Sequence, residues 1–205
     1  MIAIIDYGMG NLRSVQKGFE RVGIRAGITR EISDIVGADG VVLPGVGAFS
    51  ACMENLRSFG LIEPIRQVVR QKKPFLGICL GLQLLFTESE EFGIQKGLDL
   101  LPGRVVGFRT NNGLKIPHMG WNQIEKRKET PFLDGLSTGD SVYFVHSFYV
   151  VPDDGSLVAT TTDYGASFVS SVATDHLFGC QFHPEKSQDL GLRILENFGR
   201  FVDSR

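Results

Sequence analysis

The chain has 205 residues, 42% of them hydrophobic and 21% charged, with a formal net charge of −2. That suits one soluble domain with a full core at ~100–200 residues per domain, and nothing in so balanced a charge suggests nucleic acid or a membrane surface held by electrostatics. No apolar run approaches the ~18 residues of a membrane span, the start Met1-Ile2-Ala3-Ile4-Ile5-Asp6 lacks the basic segment of a secretory leader, and Cys52, Cys79 and Cys180 have no disulfide-framework spacing; a cytoplasmic protein with free thiols is expected.

Residues 2–5 form a β-rich run that ends at Asp6. The loop Tyr7-Gly8-Met9-Gly10-Asn11 leads into a helix with Leu12, Val15, Phe19 and Val22 on one face. Asn11 stands where it can cap that helix, and Gly23 where it can end it. Gly8-x-Gly10 is not a dinucleotide fingerprint: Arg13 holds the third glycine position, and no acidic residue closes the second strand at the required distance. A second strand is expected over 24–28 and a third over 40–43, running into Pro44-Gly45-Val46-Gly47. Helices follow over 48–58 and 61–72, the second burying Leu61, Ile65, Val68 and Val69. Phe75 to Ile78 then read as a strand buried on both faces, and Leu82 to Phe86 as the start of an apolar helix.

This β-α alternation through residue 87 predicts a parallel sheet. In such sheets ligands bind beyond the carboxyl ends of the strands. The glycine turns at 44–47 and 77–81 both fall there. The second half changes character. Residues 88–100 read as a charged loop and 104–108 as a strand, and Thr110-Asn111-Asn112-Gly113 is a turn signal. Strands are expected over 121–125, 142–151, 157–162 and 168–173, with a further apolar run over 177–182. A final amphipathic helix carries Leu190, Ile194, Leu195, Phe198 and Phe201. The expected fold class is α/β: one domain over 1–205, its mostly parallel central sheet flanked by helices, with antiparallel strands added in the C-terminal half.

Gly77-Ile78-Cys79-Leu80-Gly81 is the thiol counterpart of the Gly-x-Ser-x-Gly elbow. It sets a nucleophile in a strained strand-to-helix turn, where the helix N-terminus favours thiolate over a thiol of ordinary pKa about 8.5. A small core cysteine in a tight turn is the alternative. A thiol nucleophile needs a base and a group to orient it. His183 in Gln181-Phe182-His183-Pro184-Glu185 fits best. Pro184 disfavours the α region at His183, and continued extension puts Glu185 on the same side. A surface His-Pro-Glu turn is the alternative. His146 is the other candidate base, without a carboxylate at i+2. Backbone N–H groups of Leu80 and of Val46 or Gly47 are the expected oxyanion donors. Cys52 and Cys180 lack an elbow and read as packing residues. No His/Cys cluster has zinc spacing, so no metal is expected.

Elbow, glycine turn and His-Pro-Glu together resemble the class I (triad) glutamine amidotransferase family. Ile5-Asp6-Tyr7-Gly8-Met9-Gly10-Asn11, Pro44 to Phe49, Gly77 to Phe86, Pro117-His118-Met119-Gly120-Trp121-Asn122, Tyr143 to Ser147 and Gln181 to Ser187 are similar to the glutaminase subunits of imidazole glycerol phosphate synthases, and these strings span nearly the whole chain. The resemblance implies histidine biosynthesis, with glutamine hydrolysed to glutamate and ammonia, and ammonia passed to a (β/α)₈-barrel cyclase subunit in a heterodimer. It implies Cys79 as nucleophile, His183 as acid/base and Glu185 as its orienting group, with no cofactor. Gly47, Gln83 and the backbone at Ser147 and Phe148 would contact glutamine. Asn11, Pro117, His118, Met119, Trp121, Tyr143 and Lys186 would face the cyclase. Phe148 stands where the family often has tyrosine; the implied contact is through backbone, so the departure counts only against a side-chain hydroxyl role. A stand-alone cysteine peptidase or γ-glutamyl hydrolase on a related fold is the alternative.

Overall fold

The computed structural model describes residues 1–109 and 114–205, so the turn expected at Thr110-Gly113 lies outside the described residues. The first half runs β1 (Ile2–Ile5), α1 (Leu12–Arg21), β2 (Ala26–Thr29), α2 (Ile32–Gly37), β3 (Gly40–Gly45), α3 (Phe49–Ser58), α4 (Ile62–Arg70), β4 (Phe75–Cys79) and α5 (Leu80–Leu84). The second half runs β5 (Phe86–Ser89), β6 (Gln95–Lys96), β7 (Leu101–Gly107), β8 (His118–Gln123), β9 (Glu125–Lys126), β10 (Ser141–His146), β11 (Phe148–Pro152), β12 (Val158–Asp163), β13 (Ser167–Ala173) and β14 (Leu177–Cys180), and ends in α6 (Gln188–Asp203).

Among the described residues the main sheet has the strand order β2-β1-β3-β4-β14-β13-β11-β7-β5-β6, with β12 and β9 continuing from β13. The five strands from β2 to β14 pair in parallel. Antiparallel pairing begins at β13 and continues through β11 to β7. Side chains alternate between two cores, as the period of a strand requires. Ala3, Ile5, Val41, Leu43 and Phe75 meet α2, α3 and α4 through Ile35, Phe49, Met53, Leu56, Ile65 and Val68. Ile2, Ile4, Val42, Leu76 and Ile78 meet α1 and α6 through Val15, Phe19, Ile194, Leu195 and Phe198. Both faces are covered, which is why these strands read as unbroken apolar runs.

The last helix shows which term wins locally. Gly191 and Gly199 each cost about 1 kcal/mol of helix propensity. Burying Ile194, Leu195 and Phe198 outweighs that at about 1.5–3 kcal/mol each. The glycines are there for contact: a Cβ at Gly191 would lie 1.9 Å from the Pro184 carbonyl oxygen.

Several expectations are corrected. The side chain of Asn11 makes no cap bond; its carbonyl accepts from Ser14 and Val15 instead. The second strand starts at Ala26 rather than residue 24. The apolar helix over 82–86 starts at Leu80 and stops at Leu84, because Phe86 is drawn into parallel pairing with Leu101. The charged stretch 88–100 contains an antiparallel hairpin, Glu88 opposite Lys96 and Ser89 opposite Gln95, at the sheet edge where charge is tolerated. The single strand expected over 142–151 is two: β10 pairs with β8 in a separate two-stranded sheet, and after Ser147 the chain crosses into the main sheet as β11. Hydrophobic alternation cannot register that switch, because both segments are half-buried.

The elbow is fixed from β3. Gly45 aligns with Cys79 across the β3–β4 pair. A Cβ at Gly81 would sit 1.8 Å from the Leu43 carbonyl oxygen, which is backbone and cannot yield. Gly81→Ala should lower the urea midpoint at unchanged m, with a loss of about 1–3 kcal/mol or more. Gly37→Ala, where an added Cβ meets nothing within 4 Å, should be neutral or stabilising by up to about 1 kcal/mol in the same titration.

Candidate active site

The sequence places Cys79 between an all-apolar strand and a glycine-bearing helix start, and the backbone there is strained. Cys79 has φ 55° and ψ −112°, a region a residue with a Cβ enters at a cost of order 1–3 kcal/mol. The strain turns the side chain out of the sheet. Its thiol lies 3.8 Å from the Val145 carbonyl, and the Gln181 amide donates to Sγ at 3.7 Å. The following helix has only five residues, so its dipole is shorter than the sequence suggests. The positive group that matters for the sulfur is an imidazole.

That imidazole is His183, only 2% exposed. It leaves β14 in the extended conformation expected from the following proline, with φ −101° and ψ 99°. Its N–H donates to the Tyr143 carbonyl at 2.9 Å, and Ser187 Oγ donates to its carbonyl at 2.7 Å. The chain then departs from the expected extension: Pro184–Lys186 is a 3-10 turn, and this turn brings Glu185 back to the ring. His183 Nδ1 donates to Glu185 Oε1 at 2.8 Å, between side chains 2% and 1% exposed. Nε2 is thereby left for the thiol. It makes no hydrogen bond of good geometry here, yet it lies near enough to Sγ for the two to interact electrostatically; such bonds are often loose before substrate binds. Burial opposes charge on His183, but the adjacent Cys79 sulfur and the Glu185 carboxylate outweigh it and raise its pKa to about 10.

A pocket of about 250 Å³ opens over these groups, lined among others by Val46, Gly47, Gln83, Glu91, Ser147 and Phe148. Cys79, Leu80 and His183 also line it. The Leu80 N–H lies in the first turn of α5, where no intrahelical acceptor exists. The Pro44-Gly47 turn is held from beneath: Tyr7 Oη donates to the Pro44 carbonyl at 2.9 Å and the Cys52 thiol to the Val46 carbonyl at 3.5 Å. The trans peptide then directs the Gly47 N–H away from Cys52. Gln83 Nε2 donates to the Phe148 carbonyl and to Gln181 Oε1, both at 2.9 Å.

Glu91 and Gln181 were not legible as site residues. Glu91 sits in the stretch read as a loop, and its carboxylate accepts the Phe49 N–H at the start of α3, at 2.6 Å. Gln181 is a polar residue in an apolar run, a signal that could have marked it. His146, the alternative base, is excluded by its bonds. Both ring nitrogens are engaged, with His118 Nδ1 and with the Phe148 carbonyl, and burial, outweighing the bond to Phe148, pulls its pKa down to about 3.

The residues expected to face a partner divide. Met119 and Trp121 are 61% and 48% exposed. Tyr143 lies opposite Trp121 across β8 and β10, with ring centroids 6.0 Å apart, and Lys186 Nζ lies 5.8 Å from the Tyr143 ring. Asn11 and Pro117 are exposed. His118 is corrected: only 3% exposed, its side chain points inward, because a residue between Pro117 and Met119 on a strand faces the opposite side.

Comparison with known proteins identifies the family and the fold. The family model of class-I glutamine amidotransferases matches residues 3–200. The chain is 59% identical over 204 residues to the imidazole glycerol phosphate synthase subunit HisH of Syntrophotalea carbinolica, covering 97% of this chain and 99% of the relative. It is 52% identical to the HisH subunit of Geobacter sulfurreducens, covering 97% of each. The crystal structure of a glutamine amidotransferase superposes with a TM-score of 0.74 at 20% identity, over 99% of this chain and all of that one, which speaks to the fold alone. The chain belongs to the class I glutamine amidotransferase family, alongside the HisH subunits of imidazole glycerol phosphate synthase.

Proposed function

We infer that this chain is the glutaminase subunit of an imidazole glycerol phosphate synthase and releases ammonia from glutamine for histidine biosynthesis. The observation that carries the chemistry is the His183 Nδ1–Glu185 bond, which fixes the ring and leaves Nε2 without another partner in the pocket that Cys79 also lines. Cys79, as thiolate, attacks the side-chain carboxamide carbon of glutamine. The oxygen of that group gains negative charge, which the N–H groups of Leu80 and of Val46 or Gly47 would stabilise. His183, as imidazolium, gives its Nε2 proton to the departing nitrogen as the C–N bond breaks. Ammonia leaves, and a glutamyl thioester remains on Cys79. Neutral His183 then takes a proton from water, the resulting hydroxide attacks the thioester, and glutamate leaves with the thiolate–imidazolium pair restored. Glu185 holds the ring in the orientation both steps use.

Substrate recognition follows from the pocket wall. Gly47, Gln83 and the backbone at Ser147 and Phe148 would contact glutamine, and Glu91 supplies a carboxylate suited to its α-ammonium group. The relatives are named as subunits of a synthase, which supports a second subunit as the user of the ammonia. A (β/α)₈-barrel cyclase subunit in a heterodimer fits that role. Met119, Trp121, Tyr143 and Lys186 form the cluster best suited to meet it: an exposed tryptophan beside a tyrosine and a cation is the composition of an interface anchor. Asn11 and Pro117 belong to the same proposed face. No cofactor is needed for any step.

Cys79→Ala should abolish glutamine-dependent synthesis in the complex while synthesis from added ammonium persists; both would be followed by formation of imidazole glycerol phosphate. Loss of both activities, or cleavage of γ-glutamyl peptides with free glutamine untouched, would contradict the reading. The raised His183 pKa sets the pH dependence. The imidazolium persists through neutral pH and is lost as pH rises through about 10, so kcat/KM should fall on that alkaline limb. Glu185→Gln removes one of the contacts that raise it, and the limb should move to lower pH. Trp121→Ala should weaken assembly about tenfold or more, read by titration calorimetry with the cyclase.

A further inference from the structure

Two buried histidines have no place in the chemistry above. His118 and His146 lie opposite each other across β8 and β10, 3% and 5% exposed. Aromatic rings enclose them: His118 stacks on Phe144 at 4.8 Å and Tyr164 at 4.1 Å, and Phe108 and Phe168 stand about His146 at 5.2 and 5.0 Å. A site needing only apolar volume would not take two imidazoles, since each buried polar nitrogen costs free energy unless bonded. Here all four ring nitrogens are bonded.

The bonds fix the protons. The Phe148 carbonyl can only accept, so His146 Nδ1, at 2.8 Å from it, carries hydrogen. Burial keeps both rings neutral, with pKa values pulled down to about 4 at His118 and about 3 at His146. His146 Nε2 is therefore an acceptor, and His118 Nδ1, 2.8 Å away, carries hydrogen too. His118 Nε2 is then an acceptor, and it takes the Asn122 amide at 3.2 Å. The direction runs from Asn122 on β8 through His118 and His146 to the Phe148 carbonyl. The same carbonyl accepts Gln83 Nε2, Gln83 also donates to Gln181, and Gln181 donates to the Cys79 sulfur.

We propose that His118 and His146 are positioning residues for the glutamine-binding wall, a one-way chain of two Nδ1–H imidazoles that holds the Ser147 crossover and the Phe148 carbonyl in place from strand β8. The inference rests on the reading of the pocket as a glutamine site. Residues 146–148 are where the chain changes neighbours, from β8 to β7, and between the two ladders the wall is held by a single backbone bond, Phe108 N–H to the Ser147 carbonyl at 3.2 Å. The His146 bond to Phe148 spans that break. Because β8 also exposes Met119 and Trp121, a partner bound on that face would bear on the same strand.

The test uses the whole chain in complex with its cyclase. Long-range ¹H–¹⁵N NMR of histidine-labelled protein should find both rings neutral, with hydrogen on Nδ1, from pH 5.5 to 8.5. A hydrogen on Nε2, or a charged ring, at either residue overturns the proposal without reference to activity. Steady-state kinetics supply the second arm. His146→Leu removes the donor to a buried carbonyl and should raise KM for glutamine about tenfold, with kcat changed less. His146→Asn, whose amide can occupy the Nδ1 position, should keep KM within about threefold of the wild type. Equal KM in the Leu variant and wild type, or equal losses in the Leu and Asn variants, would overturn it. If His146→Leu does not fold, His118→Leu against His118→Asn makes the same comparison. A wild-type complex that releases no ammonia from glutamine would instead refute the glutamine reading and the wall assignment with it, while the NMR arm still judges the hydrogen-bond chain.

Discussion

The close approach of the Leu43 carbonyl to Gly81 is the constraint on which the rest of the site depends. It locks the end of β3 against the turn that follows β4, and Gly45 lies level with Cys79 across that pair. One register decision therefore sets two things at once: the strained backbone that projects the thiol, and the glycine turn that lies beside it. The strain at Cys79 is tolerable because the surrounding strands are buried on both faces. Strands β3, β4 and β14 carry Val42, Leu76, Ile78 and Phe178 into one core and Val41, Leu43, Phe75 and Leu177 into the other. An elbow costing of order 1–3 kcal/mol is small beside several such side chains at about 1.5–3 kcal/mol each.

Electrostatics then divide the histidines into two kinds. His183 and His146 both line the pocket, and both are buried. His183 has a carboxylate and a sulfur for neighbours, which favour its charged form against burial. His146 has another imidazole and a carbonyl, and burial wins. The same residue type is thus set to carry charge in one place and to hold a fixed neutral tautomer 37 residues earlier in the chain. Burial decides the case at His146; at His183 the partner groups override it.

Much of this was legible in the sequence, because it depends on local pattern. The glycines at 77 and 81 announce the elbow, Pro184 announces the extended entry to His183, and the apolar runs at 40–43 and 75–78 announce strands covered on both faces. What escaped depends on pairing at a distance. The split of 142–151 into β10 and β11 is decided by different neighbours, β8 for one and β7 for the other. Helix α5 ends where Phe86 meets Leu101. Glu91 and Gln181 join the site only because β5 and β14 lie where they do. His118 read as a surface residue through the family likeness of its string, although strand alternation between exposed Pro117 and Met119 already turns it inward.

The central claim is that Cys79 is the residue acylated by glutamine. Rapid acid quench of the cyclase complex during turnover, followed by peptide mass spectrometry, tests it most directly. The account predicts a glutamyl adduct on the peptide containing Cys79 and none on those containing Cys52 or Cys180, both buried and packed within α3 and β14. An adduct on either of the other cysteines, or steady ammonia release with no acylated cysteine trapped, would contradict it.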